Sequence, residues 1–328
     1  MFAPFSQRLL TVLQLTRMAL VFTAIADSVA AALLSGGSPE PMRLIMTALM
    51  SIGLYGFGMS LNDIIDRRRD RQLAAHRPIP SGRIPLGVAH FVCASLLLLA
   101  LLSGGYLAHF TLADGMGFLL LVWTILLIVF YDTAGKYLVA PGLLTLGLIR
   151  FFHATVPVPK LPLLWHPLWL LNHVAILSAV AYVWEQKRPP LTRNHWWVFA
   201  AGLATIDLVL IFVVGLRRQV RTGTDLITAL RIGPELLPVV AATVAFVVFA
   251  FVLRKRFGSS PRSGQALVLY GLLWLIVYDA CFVAGYVGVT RAALLLLLLP
   301  IAYFSVQLMR GWSKIVSLSQ APTYQRAK

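Results

Sequence analysis

The chain has 328 residues, 59% of them hydrophobic and only 12% charged, whereas a soluble domain carries about 25% charged residues. No polar block is long enough to form a soluble domain, so the composition excludes a soluble enzyme and fits a polytopic membrane protein. A net charge of +16 would indicate nucleic acid in a soluble chain. Here the basic residues lie mostly in short loops between apolar runs. Orientation and anionic headgroups account for them there, and no nucleic acid is expected as a partner.

Residues 1–14 read as a cytoplasmic leader with one arginine, Arg8. The first apolar run, 15–34, begins near Arg17 and holds Asp27 deep inside. An ionisable residue at that depth is either a functional group or a charge paired to another helix. Further runs lie near 43–61, 87–108, 115–131, 138–157, 166–184, 196–215, 235–253, 266–286 and 291–309. Most approach the ~20 residues that a spanning helix needs. The expectation is an all-α polytopic membrane protein, a bundle of nine or ten transmembrane helices. One membrane domain covers 15–309, and a cytoplasmic tail covers 310–328. With the N-terminus cytoplasmic, most of the 28 basic residues fall on that side, as the positive-inside rule asks. Arg217, Arg218, Arg221 and Arg231 fall on the other side, so either their loop is an exception or the helix count fails there. Cys93 and Cys281 lie inside apolar runs and read as small core hydrophobes.

The stretch Asn62–Arg83 carries the densest chemistry. Asp63, Asp66 and Asp70, at spacings of three and four, are placed on one face of a helix, in a chain with only 12 acidic residues. Three such carboxylates repel one another and are costly to desolvate, and a cation resolves both problems. Oxygen donors with room for water suit Mg²⁺, which commonly bridges carboxylates to phosphate oxygens. The arginines of the stretch, Arg77 among them, either bind anions or face water.

Asn62-Asp63-Ile64-Ile65-Asp66-Arg67-Arg68-Arg69-Asp70, followed by Arg77-Pro78-Ile79-Pro80-Ser81-Gly82, resembles the first aspartate-rich motif of the UbiA superfamily of intramembrane prenyltransferases. That motif reads N-D-x-x-D-x-x-x-D and then R-P-[IL]-[PAV]-[SA]-G. Tyr131-Asp132-Thr133-Ala134-Gly135-Lys136 is similar to the superfamily's Y-[ST]-x-x-K segment, with Asp132 an unusual member. The resemblance implies that Lys136 helps hold a diphosphate, although a lysine at a helix end also serves as a headgroup anchor. The superfamily's second aspartate motif is reduced here to Glu185 within Ala181–Arg188. His173 and Asn172 lie further up that helix, where a lone histidine is more often hydrogen-bonded filler than a base. A looser likeness to EboC-type UbiA relatives rests on Arg17, Thr23–Asp27, Ser60–Asp63, Arg77–Arg83, and Tyr131-Asp132 with Lys136.

The resemblance implies Mg²⁺-dependent transfer of a prenyl group from a polyprenyl diphosphate to a hydrophobic acceptor in the bilayer. Asp63, Asp66 and Asp70 would hold the metal, with Glu185 opposing them. Asn62, Lys136, Arg77, Arg17 and Tyr131 would line the substrate. With the basic loops cytoplasmic, the expected protein is integral to the membrane, a bacterial inner membrane, with its site facing the cytoplasm. The alternative is a non-catalytic binder or carrier of an isoprenoid or anionic lipid intermediate, in which the second motif has degenerated. A transporter with a midplane site would need internal repeats, and none is visible in the sequence.

Overall fold

A computed structural model describes residues 3–36, 39–112 and 115–319, and these are organised by helices and their connections. In chain order the helices are α1 (Ala3–Leu15), α2 (Val21–Leu34), α3 (Pro41–Ile65), α4 (Arg67–Leu73), α5 (Leu86–Tyr106), α6 (Gly115–Thr133), α7 (Ala140–Thr155), α8 (Trp165–Trp184), α9 (Arg193–Thr222), α10 (Leu226–Leu230), α11 (Leu237–Phe257), α12 (Pro261–Tyr286), α13 (Val289–Leu296) and α14 (Leu298–Ser319). Among the described residues, eight helical segments are long and apolar enough to cross a membrane. A ninth counts if 7–15 and 18–34, bent by 61° across Thr16 and Arg17, form one span. Helix α7, at 16 residues, spans only about 24 Å at 1.5 Å per residue and is the short member of the bundle.

The apolar runs become helices, with differences at the ends. The leader is helical from Ala3. Helix α14 continues through Ser319, so 310–319 extend the last helix, and the remainder of the expected tail lies outside the described residues. Helix α9 is continuous over 30 residues, and Gly223 at φ 67 ends it. It is about 45 Å long against a hydrocarbon core of about 30 Å. The stretch carrying Arg217, Arg218 and Arg221 is therefore its overhanging end, and the helix count does not fail there.

Helix α3 packs along α5, α7 along α8, and α12 against α2, α8 and α11. Without a hydrophobic drive between helices in lipid, small residues set how closely they approach. At Gly53 of α3 an added Cβ would sit 2.6 Å from the Ala100 amide nitrogen and 2.7 Å from the Leu96 carbonyl oxygen of α5. Those are backbone atoms that cannot swing aside. Gly53→Ala is expected to destabilise the protein by about 1–3 kcal/mol, the cost of overpacking. A thermal melt in detergent unchanged by Gly53→Ala would show that α3 and α5 do not approach this closely.

Asn62–Asp132 and Lys136–Asp66 contacts join the end of α3 to the end of α6, and Arg69 lies within electrostatic range of Tyr182 near the end of α8. The α3–α5 connection, the α6–α7 turn and the α8–α9 connection therefore share one end of the bundle. In a background lacking the native cysteines, single cysteines at Arg71 and Arg188, both exposed, should react from the same side of sealed vesicles. A cysteine at Gln219 should react from the other. Labelling of the first two from opposite sides would refute this arrangement.

Candidate active site

Asp63, Asp66 and Asp70 do share one buried face, only 3%, 8% and 5% exposed, while Arg68 and Arg69 between them face outward. The helix that carries them is not continuous. Helix α3 ends at Ile65, Asp66 occupies the break, and α4 resumes at Arg67. Backbone bonds from Asp66 to Asn62 and from Asp70 to Asp66, of 2.9 and 2.8 Å, keep the four-residue spacing across the break, and so the face survives it.

The repulsion expected among the three carboxylates is offset by the protein's own cations. Lys136 Nζ lies 2.7 Å from Asp66 Oδ1, and both side chains are about nine-tenths buried. Arg77 bridges two carboxylates, 2.7 Å from Asp70 and 3.6 Å from Asp63, and Arg17 reaches Asp63 at 3.2 Å. Asn62 Nδ2 donates to Asp132 Oδ1 at 2.7 Å, so a fourth carboxylate joins the same end. Tyr131, half-buried, lies within electrostatic range of Asp66, Arg17 and Arg69.

Local chemistry explains how each cation arrives. Arg17 sits in the break after α1 at φ 48, ψ 37, a left-handed conformation uncommon for a side-chain-bearing residue. Arg77 is delivered by the loop 74–85, in which Pro78 and Ile84 are buried, the Ser81 hydroxyl donates to the Arg77 carbonyl, and Gly82 takes φ 72. Lys136 lies in a tight turn after α6, and Val139 beyond it is held at φ 37, ψ −81, a genuine outlier for a β-branched residue. Strained residues of this kind persist where the surroundings over-determine them, frequently at functional sites.

Glu185 caps the end of α8. Its carboxylate pairs with Lys187 at 2.9 Å, and its side-chain stem and backbone amide pack against Gly264 of α12. Among the described residues, no ion pair or hydrogen bond joins Glu185 to the Asp63 cluster, and no three His, Cys, Asp or Glu groups converge tightly enough to enclose a metal alone. The donor set still fits Mg²⁺, which is usually held by one or two carboxylates with water and phosphate completing its shell.

Outside this cluster Asp27 and His173 take the paired and hydrogen-bonded roles that the sequence allowed them, and further polar contacts were not foreseen. Asp27 pairs with Arg150 of α7 at 2.6 Å, and Arg150 also donates to Thr23. His166 of α8 bonds Asp279 of α12 at 2.7 Å. Asn172 donates to Asp207, and His173 contacts the Gly271 carbonyl at 2.9 Å. The signal available in the sequence was an ionisable residue inside an apolar run. It singled out Asp27 but was not followed to Asp279 and Asp207 in the later runs.

No protein-family model matches the chain, and no curated protein sequence matches it. Solved structures do. A structure reported for digeranylgeranylglyceryl phosphate synthase superposes with a TM-score of 0.58 at 17% identity, covering 85% of this chain and 99% of that one. A UbiA homologue from Archaeoglobus fulgidus bound to GPP and Mg²⁺ gives a TM-score of 0.55 at 14% identity, covering 83% and 99%. The apo UbiA homologue from Aeropyrum pernix K1 gives 0.54 at 18%, covering 82% and 98%.

Proposed function

We propose that this chain, which has the fold of the UbiA homologues, is an intramembrane prenyltransferase that moves a prenyl group from a polyprenyl diphosphate to a hydrophobic acceptor with Mg²⁺. The observation that carries the reading is the buried face of Asp63, Asp66 and Asp70, met by Arg17, Arg77 and Lys136 from three other segments. Carboxylates and cations interleaved this way suit a metal–diphosphate unit, and UbiA homologues of this fold bind GPP or DMAPP with Mg²⁺.

Asp63, Asp66 and Asp70 would hold Mg²⁺, which when bound neutralises diphosphate charge and favours its departure. Lys136 and the two arginines are positioned to exchange carboxylate partners for phosphate oxygens, meeting negative charge where it develops. Asn62 orients Asp132 beside them. Tyr131 offers a ring face to cationic character at the allylic carbon. Glu185 would act from α8. The bilayer supplies the acceptor, and the site would face the cytoplasm of a bacterial inner membrane.

Purified protein given Mg²⁺, a membrane-lipid extract and geranyl, farnesyl or geranylgeranyl diphosphate in turn is expected to release diphosphate and form a prenylated lipid detectable by mass. The pairing of Glu185 with Lys187 favours a second reading, a binder of such diphosphates without turnover. Mg²⁺-dependent binding of all three with release of none would establish the binder instead.

A further inference from the structure

A second group of charges lies in the interior of the bundle, away from the aspartate cluster. Asp27 of α2 and Asp279 of α12 are both 0% exposed, in a core that includes Ala26, Ala30, Ile276 and Phe282. Asp27 Oδ2 accepts from Arg150, and Asp279 Oδ1 meets His166 Nε2. The remaining oxygens, Asp27 Oδ1 and Asp279 Oδ2, are buried without a donor, although the Asp279 side chain is close enough to Asp27 for a hydrogen bond between the carboxyls. The other titratable groups facing this cluster are Tyr55 of α3, His153 of α7 and His173 of α8, all within range of Arg150, and Cys281 of α12, within range of Asp279.

Two ionised carboxylates against one guanidinium would leave a net negative charge in the apolar interior, which is costly. Two carboxyl groups in contact resolve this by sharing a proton, because like charges so close cannot both ionise. We propose that Asp27 and Asp279 form a proton-binding site inside the membrane domain, sharing one proton, and that His166 is the group through which it exchanges. That proton cancels the net charge and gives the two unpartnered oxygens a hydrogen bond.

The placement of His166 supports its part. Its Nδ1 is buried without a partner. This suits a neutral ring that donates from Nε2 to Asp279 and keeps Nδ1 as an acceptor, since an imidazolium would strand a buried N–H. His166 also lines a void of about 10 Å³, close to the room one water requires. That void shares Leu34 and Leu163 with an open cavity of about 230 Å³ at the end of the bundle opposite the aspartate cluster. On an inward step, Nδ1 takes a proton from a hydronium ion, leaving a water molecule, as Nε2 passes its own to the ionised Asp279 carboxylate. One proton is transferred and the ring ends neutral in its other tautomer.

The test is infrared spectroscopy of the purified protein near neutral pH. A protonated-carboxyl band is expected in the wild type, shifting in D₂O and lost in Asp279→Asn, which leaves the Asp27–Arg150 pair intact. Asp132→Asn, at the other cluster, should leave it in place. No such band, or one indifferent to Asp279→Asn, overturns the site. Deuterium exchange of the band should slow at least tenfold in His166→Leu, and an unchanged rate overturns the exchange role. Nitrogen NMR of labelled histidine in the wild type provides a reading that needs no variant: His166 should be neutral and protonated at Nε2, and an imidazolium would place the proton on the ring instead. All three measurements are independent of prenyl transfer.

Discussion

Asp66→Asn is expected to reduce Mg²⁺-dependent prenyl transfer by about 10³-fold or more and to destabilise the fold by roughly 3 kcal/mol. The first effect follows from removing a carboxylate that would hold the metal together with the partner that fixes Lys136. Loss of one preorganised electrostatic group costs about 10²–10³ in rate, and here two are disturbed. The second follows from burial. Lys136 and Asp66 are only 8% and 10% exposed and 2.7 Å apart, and breaking a buried pair leaves an uncompensated charge worth about 3–5 kcal/mol. On charge repulsion alone, Asp66→Asn would relieve strain and hold or raise stability. The structure reverses that sign because Lys136 already balances the carboxylate. The double variant Asp66→Asn/Lys136→Met separates the two effects, with the melting temperature largely recovering and transfer remaining absent. Transfer within tenfold of wild type in Asp66→Asn would remove the metal-binding face from the mechanism.

Glu185→Gln is expected to lower transfer by about 10²-fold, the scale of one positioned group, with little change in stability. Glu185 pairs with Lys187, which is 52% exposed, and exposed pairs of this kind are worth about 0–1 kcal/mol. Packing against Gly264 depends on the side chain's shape, which glutamine keeps. Diphosphate affinity should change less than rate, because Asp63, Asp66, Asp70 and Lys136 remain. The measurement is single-turnover transfer alongside binding of the same prenyl diphosphate. Turnover that ignores this substitution would retain the enzyme and dismiss Glu185 from it. Binding without turnover in both proteins would leave a carrier.

The residue pattern was enough to specify a helical membrane domain and the helix face that gathers Asp63, Asp66 and Asp70. Runs of apolar residues near the length of a bilayer leave little alternative to helices, since backbone groups must be satisfied internally in lipid. The three-and-four spacing of Asp63, Asp66 and Asp70 puts them on one side even across the break at Asp66. The partners of those carboxylates were not legible in the same way. Arg17, Arg77 and Lys136 are separated from the carboxylates they pair with by up to 70 positions. They were grouped by resemblance to a motif, whereas the specific pairings of Lys136 with Asp66 and of Arg77 with both Asp63 and Asp70 depend on a helix break, a proline-containing loop and a tight turn. The interior pair Asp27 and Asp279 is further from local reading still. Asp27 was conspicuous as a charge in an apolar run, but its surroundings come from α7, α8 and α12, and pairing across a bundle depends on which helix faces lie inward. Local periodicity determines what each helix is. Which charges meet is decided by packing, because burying a charge is tolerable only where another element supplies its partner.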